Sequence, residues 1–270
     1  MNSTSLQRLL QTVQLPTLDE IRYEQARRSA VEFARLATGF DLDPWQERVL
    51  LWDGRKIVLN CARQSGKSTI AGLLALYLTS TQNNHLILIV SPSERQSGEL
   101  FRKIRGFLRE LPTEMIPKIM VDNVLSCEFE NGSRIVALPG TEKTIRSFSG
   151  VDLLIEDEAA RVPDELHYAV RPMLAVSNGR HMLLSTPFGK TGHFYDALNS
   201  PDWDIVTVPA TDNPRISQEF LNQERRALGE WWFNQEYMCI PMEDIDSVFS
   251  MDHIRAAISQ DIKPLFEVSR

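Results

Sequence analysis

Cys61-Ala62-Arg63-Gln64-Ser65-Gly66-Lys67-Ser68-Thr69 follows the apolar run Ile57-Val58-Leu59, and a second apolar run, Val151 to Ile155, leads into Glu156-Asp157-Glu158. A strand that delivers a loop ending in Gly-Lys-Ser has the parts needed to cradle nucleotide phosphates. Backbone N–H groups at the helix start hold the anion, Lys67 adds a point charge, and the Ser68 hydroxyl can ligate Mg²⁺. The acidic strand end supplies one carboxylate for the metal and another for an attacking water. Asp157 suits the metal, since it ends the strand and faces the loop, while Glu158 is better placed to orient or deprotonate water. Three adjacent acids repel one another, and a nearby cation accounts for them better than a solvated turn does. The two motifs in this order imply hydrolysis of ATP with Mg²⁺. The loop departs from G-x-x-x-x-G-K-[ST] at its first position, where Cys61 stands for the glycine of a tight turn, so its opening must differ.

Other residues are candidates for the same chemistry, each with a plainer alternative. Ser185-Thr186 ends an apolar strand before Pro187, where hydroxyls can sense the γ-phosphate or simply form a Ser-Thr turn. Gln46 precedes the loop strand, and its amide can pair with donor and acceptor on adenine's edge or stay a surface glutamine. Arg63 lies inside the phosphate loop, within reach of a γ-phosphate. Arg146, in the polar loop from Gly140 to Gly150, is either solvated or a finger aimed at a neighbour's site. Arg95, Arg102, Lys103, Arg105 and Arg109 read as the solvated face of a helix, or else as contacts to a nucleic-acid backbone.

Positioning these groups requires a regular frame. Residues 1 to about 40 read as helical, with Leu6, Leu9, Leu10 and Val13 on one face and a second stretch from Thr17 to Leu36. Asp43 and Pro44 suit the N-cap and first turn of a short helix. Strands are expected at Lys56 to Asn60, Leu86 to Val90, His181 to Ser185 and Ile205 to Val208, besides the acidic strand. Helices are expected at Ser68 to Leu78, Glu94 to Arg109, about Asp164 to Ala175, Ser217 to Leu228 and Glu230 to Met238. Leu125 to Glu130, Asn131-Gly132 and Ser133 to Leu138 predict a hairpin with a type I′ turn. Strands alternating with helices imply an α/β fold of the P-loop NTPase class, with a mainly parallel central sheet flanked by helices. The expected organisation is an N-terminal helical segment (1–40), an ATPase core (41–212), a small C-terminal helical subdomain (213–250) and a tail (251–270).

Bulk properties narrow the setting. A chain of 270 residues with 43% hydrophobic content can bury a large core. The net charge of −7 and the lack of a long basic run confine any nucleic-acid contact to local patches or to a ring of subunits. Cys61, Cys127 and Cys239 form no C-x-x-C pair, which argues for reduced thiols and against a zinc site built on cysteine. The first residues have no signal-peptide core, and no stretch approaches membrane-spanning length, so the expectation is a soluble cytoplasmic protein without membrane partners.

The set Pro44-Trp45-Gln46, CARQSGKST, LLIEDEAA, LLSTPFGKTGHFYDAL and RRALGEWWFNQEYMCIPMED resembles the ATPase domain of the large terminase subunit, the DNA-packaging motor of tailed bacteriophages. The resemblance covers about Asp43 to Val248, and a phosphate loop that lacks its first glycine and holds an arginine is typical of that family. It implies that Gln46 recognises adenine and that Ala62 through Thr69, with Lys67 and Ser68 as Walker A residues, bind ATP. It implies Asp157 as the Mg²⁺ acid, Glu158 as the water-activating residue, Ser185-Thr186 as the coupling motif, Arg63 as the loop arginine and Arg146 as a trans finger. The implied partners are double-stranded DNA, a procapsid portal, a small terminase subunit and further copies in a homo-oligomeric ring, with a monomer in isolation. The implied place is the bacterial host cytoplasm, transiently on the procapsid. The family's nuclease domain finds no room before Arg270, so no DNA cutting is expected of this polypeptide, as in an excised domain, a split gene or a truncated remnant. Two other readings stand beside this one: a helicase-like nucleic-acid-dependent ATPase, and a nucleotide-binding assembly module that hydrolyses nothing.

Overall fold

The computed structural model describes residues 16–138 and 148–243. An eight-stranded sheet forms its centre, in the order β3-β4-β5-β2-β6-β7-β1-β8. The strands are β1 (Lys56–Cys61), β2 (Leu86–Val90), β3 (Ile119–Asn123), β4 (Ser126–Phe129), β5 (Arg134–Leu138), β6 (Leu153–Asp157), β7 (Arg180–Ser185) and β8 (Asp204–Val208). From β5 through β8 every neighbouring pair is parallel, whereas β3, β4 and β5 form an antiparallel edge. The inner parallel strands are buried on both faces, which is why Leu86-Ile87-Leu88-Ile89-Val90 is apolar without alternation.

Helices cover both faces of the sheet. They are α1 (Leu18–Arg28), α2 (Ala30–Thr38), α3 (Pro44–Leu50), α4 (Lys67–Thr81), α5 (Glu94–Glu110), α6 (Asp164–Val170), α7 (Gly192–Leu198) and α8 (Gln218–Glu236). One face packs Ile57, Leu59, Ile87, Ile89, Leu153, Ile155 and Leu184 against α2, α4 and α5. The other packs Leu88, Leu154 and Val90 against α6, and Val58 and Leu183 against α7. Phe33 of α2 is fully buried and meets Tyr77 of α4 edge-on at 5.5 Å, so the second N-terminal helix belongs to the main core. Burying such a side chain stabilises the fold by about 2–3 kcal/mol.

Several expectations change in detail. The stretch from Thr17 to Leu36 is two helices, parted where Ser29 adopts an extended conformation and caps α2 by accepting from the Glu32 N–H. The expected helix from Asp164 ends at Val170 and continues as a 3₁₀ turn, Arg171–Leu174, because Pro172 lacks the N–H an α-helix would use. The Asn-Gly hairpin does not take a type I′ turn. Gly132 has φ 79° but Asn131 is not in the left-handed region, and the Gly132 N–H donates to Phe129 O while the Phe129 N–H donates to Ser133 O. The loop is thus three residues with glycine in the left-handed position. Asn131 is held by its side chain, whose Nδ2 donates to the carbonyls of Thr79 and Gln82. The two helices expected after Ser217 are borne out: α8 is two helical segments that part at Gly229, whose φ of 77° and ψ of 165° are not helical. Strand β3 and helix α7 were not legible: β3 is an exposed edge, and α7 has seven residues, too short for a clear period. The expected helix over Leu6 to Val13 lies outside the described residues. Among the described residues no helix is long and apolar enough to cross a membrane.

Candidate active site

Strand β7 lies between β1, which delivers the phosphate loop, and β6, which ends in the acids. The loop and the acids therefore meet across the end of one intervening strand. Gln64 (φ 62°) and Gly66 (φ 95°) both take the left-handed conformation, curling the loop before α4 begins at Lys67. Glycine serves the second position because a side chain at that φ is strained, and an added Cβ would sit 3.1 Å from Gln46 Nε2.

The four residues of the two motifs come together in pairs. Ser68 Oγ lies 3.3 and 3.5 Å from the two oxygens of Asp157, and Lys67 Nζ lies 3.3 Å from Glu158 Oε1. Burial, then the charge of Glu158, pushes the Asp157 carboxyl up to about 6, against the opposing pull of Lys67 and Lys103. A hydroxyl and a buried carboxylate at this separation are hard oxygen ligands of the kind Mg²⁺ takes. Glu158 adopts φ 54° and ψ 41°, a left-handed conformation that costs a non-glycine residue of order 1 kcal/mol or more. Its own N–H donates to Asp157 Oδ1 at 3.1 Å. That turn points the Glu158 carboxylate at the loop lysine instead of continuing the strand.

The three acids do not share one cation. Strand alternation turns Glu156 to the opposite face of the sheet, where it is fully buried among His167, His181 and His193. Leu154 and Glu156 share one face and Ile155 and Asp157 the other, so this period of two was available in the sequence.

Other expected site residues fall around the loop. Gln46 is buried, and its Oε1 accepts from the Asp43 N–H at 2.9 Å, which sets its amide against Gly66. Ala62 donates its N–H to Val208 O, committing that group to the sheet. Ser65 is buried in the loop, whereas Thr69 lines a cavity between α2 and α5 with Thr38, Phe40 and Lys103. Thr186 Oγ1 donates to Cys61 O at 3.1 Å and Ser185 Oγ to Thr186 O at 2.8 Å, so the end of β7 is tied to the loop's first residue through backbone. The Cys61 thiol is pushed up to about 12 by burial, which leaves it neutral and unreactive. Arg146 lies outside the described residues. On α5, Arg102 pairs with Glu99, and Arg105 pairs with Asp122 and Asn123 O, as expected of a helix face with its own ion pairs.

Two residues that the sequence did not single out complete the site. Arg161 approaches Glu158 Oε2 with one nitrogen (3.5 Å) and Glu236 Oε1 with the other (3.5 Å), and it lies over the Phe188 ring. Glu236, near the end of α8, holds Arg63 Nε at 2.5 Å through its other oxygen. A chain of alternating charges thus runs Lys67–Glu158–Arg161–Glu236–Arg63, joining the C-terminal helix to both motifs. Asn213 Nδ2 donates to Gln64 O and Asn60 Nδ2 to Cys239 O, while Leu221, Phe233 and Cys239 pack on Ala62. Nothing in the spacing of Glu236 and Arg63 along the chain signals this contact.

The family model described as terminase large subunit, T4likevirus-type, N-terminal, matches residues 58–256, which span both motifs, β7 and α8. The chain belongs to this family. The large terminase subunit of Escherichia phage T5 is 26% identical over 208 residues, which take in 72% of this chain and 46% of that protein. The chain thus spans about half the length of this curated relative. Among solved structures, the large terminase ATPase domain of Thermus phage P74-26 superposes with a TM-score of 0.65 at 19% identity, over 77% of this chain and 97% of that one. The large terminase of a thermophilic bacteriophage in complex with ADP gives 0.59 at 14% identity, over 73% and 52%. That of bacteriophage HK97 gives 0.58 at 19%, over 79% and 47%. At these identities the likeness establishes the terminase ATPase fold.

Proposed function

We propose that this terminase chain hydrolyses ATP and couples hydrolysis to translocation of double-stranded DNA into a procapsid. The observation that carries the reading is the pairing of Lys67 with Glu158 and of Ser68 with Asp157 across the end of β7. Ser68 and Asp157 would hold Mg²⁺, which would supply positive charge against the phosphates. Loop N–H groups and Lys67 bind the phosphates, and Gln46, beside Gly66, reads the adenine edge. When Lys67 exchanges Glu158 for a phosphate oxygen, the Glu158 carboxylate is free to accept a hydrogen bond from water. Water attacks the γ-phosphorus, the bond to the bridging oxygen breaks, Glu158 takes the proton, and ADP and inorganic phosphate result. Arg63, released from Glu236, or Arg146 from a neighbouring subunit, offsets the charge that develops. Loss of phosphate returns Arg63 to Glu236 and moves α8, which carries the coupling to DNA. The portal, the small subunit and a ring of copies in the host cytoplasm are the partners this role requires.

The test is ATP turnover per chain at increasing protein concentration, with Glu158→Gln as control. The reading expects Mg²⁺-dependent turnover that rises with concentration and disappears in the variant, while nucleotide binding persists. Turnover equal in wild type and Glu158→Gln would overturn it. If Arg146 acts in trans, Arg146→Ala abolishes the rise with concentration.

A further inference from the structure

On the face of the sheet away from the phosphate loop, one carboxylate meets three imidazoles. Glu156 on β6 is fully buried, and its Oε1 lies 2.9 Å from His167 Nδ1 on α6 and 2.7 Å from His181 Nε2 on β7. Its Oε2 lies 3.3 Å from His193 Nε2 on α7. All three histidines are buried, and the His167 and His193 rings stack with centroids 4.0 Å apart. One ligand atom from each of Glu156, His167 and His181 falls within 4.8 Å of the others, and His193 stands just outside that group, at 3.3 Å from Glu156.

The outer side of His193 identifies what the inner side lacks. Its Nδ1 faces Asp164 Oδ1 at 2.8 Å, and the same oxygen accepts the His193 backbone N–H at 2.9 Å. With the Nδ1 proton given to Asp164, Nε2 presents a lone pair to Glu156 Oε2, and both atoms are buried without a hydrogen-bond partner. Two facing lone pairs in a dry interior require a positive charge between them, either a metal ion or a proton on His193. A carboxylate that orients a histidine through its outer nitrogen is the usual support for a metal-bound imidazole.

We propose that Glu156, His167, His181 and His193 form a binding site for a structural divalent cation of the zinc class. Three imidazole nitrogens and one carboxylate make a four-ligand set, which suits Zn²⁺ and not Mg²⁺, a cation that prefers oxygen. Zinc bonds of about 2.0–2.1 Å in a tetrahedron set ligand atoms roughly 3.3 Å apart. The carboxylate-to-nitrogen spacings of 2.7 to 3.3 Å approach that value, and the stacked His167 and His193 rings would turn to aim both nitrogens at one ion. The ion would fasten α6, β7 and α7 to β6, the strand that presents Asp157. This site is independent of the proposed ATP chemistry, since its ligands lie on the other face.

The experiment is metal analysis of the untagged protein, purified without chelator, followed by chelation and reconstitution. One equivalent of zinc per chain is expected. Its removal should lower the melting temperature, and Zn²⁺ or Co²⁺, but not Mg²⁺, should restore it. Bound Co²⁺ should show the intense visible absorption of a tetrahedral complex, which a six-coordinate ion at Ser68 and Asp157 would not. Asp164→Asn keeps all four ligands and should weaken Co²⁺ binding about 10- to 100-fold. This variant guards against misfolding in His181→Ala, which should bind no Co²⁺ if folded. A folded wild type that purifies without metal, takes up no tetrahedral Co²⁺ and gains no stability from Zn²⁺ would overturn the proposal and leave a cluster held by a proton on His193.

Discussion

Asp157 should weaken the fold it serves, and Asp157→Asn should make the protein more stable in the absence of nucleotide and metal. Burial and the neighbouring Glu158 charge hold the carboxyl near 6, against 3.8 for a free side chain. At about 1.4 kcal/mol per pH unit, keeping it ionised at neutral pH costs roughly 3 kcal/mol. Asparagine removes that cost but also removes the attraction to Lys67 and leaves an amide N–H to be satisfied, so the expected net gain is about 1–2 kcal/mol. The sign follows from the raised value. Below 3.8 the carboxyl is protonated in both folded and unfolded chains and the cost is absent; it grows between 3.8 and 6 and is complete above 6. The advantage of the variant should therefore be small near pH 4, rise through pH 5 and level off above pH 6. Thermal unfolding of both proteins with chelator, across pH 4 to 8, measures it, and a chain of this size should shift by about 2–4 °C for each kcal/mol. Addition of Mg²⁺-ATP should reverse the order, stabilising the wild type alone. A variant no more stable than wild type at neutral pH, or a difference that ignores pH, would refute the argument.

Glu236→Gln leaves Arg63 and Arg161 without their shared carboxylate. It should cost about 1–2 kcal/mol and quicken hydrogen exchange at the end of α8, while the exposed side of α5 exchanges as before. Gly66→Ala places a Cβ at φ 95° and 3.1 Å from Gln46 Nε2. A stability loss of about 1–2 kcal/mol and a marked fall in nucleotide affinity are expected, read by thermal unfolding and fluorescent-nucleotide titration.

The central strands and the helices α4 and α5 were legible because their signals are local: an unbroken apolar run, or an apolar face at helical spacing. The Asp43-Pro44 helix start was legible for the same reason, and α3 begins there with Gln46 folded back onto the Asp43 N–H. The Asn131-Gly132 turn was legible as a turn but not as a type. Asn131 has a choice between the left-handed conformation and side-chain bonds to Thr79 and Gln82, and only the folded neighbourhood of α4 supplies those carbonyls. The exposed strand β3 carries no pattern of its own, because it exists by pairing with β4.

The sequence by itself determined the chemistry of the phosphate loop and the acidic strand end, since each depends on residues a few positions apart. It also contained the alternation that separates Glu156 from Asp157. Only the tertiary structure decided which distant groups meet them. Inserting β7 between β1 and β6 sets the spacing between Lys67 and Glu158, and laying α8 over the loop brings Glu236 to Arg63 and Arg161. Helix α6, strand β7 and helix α7 each bring one histidine from a different part of the chain to the carboxylate on β6. Such contacts depend on the order of strands and the packing of helices, which no short stretch of sequence encodes, and their partners are ordinary charged residues until the fold brings them together.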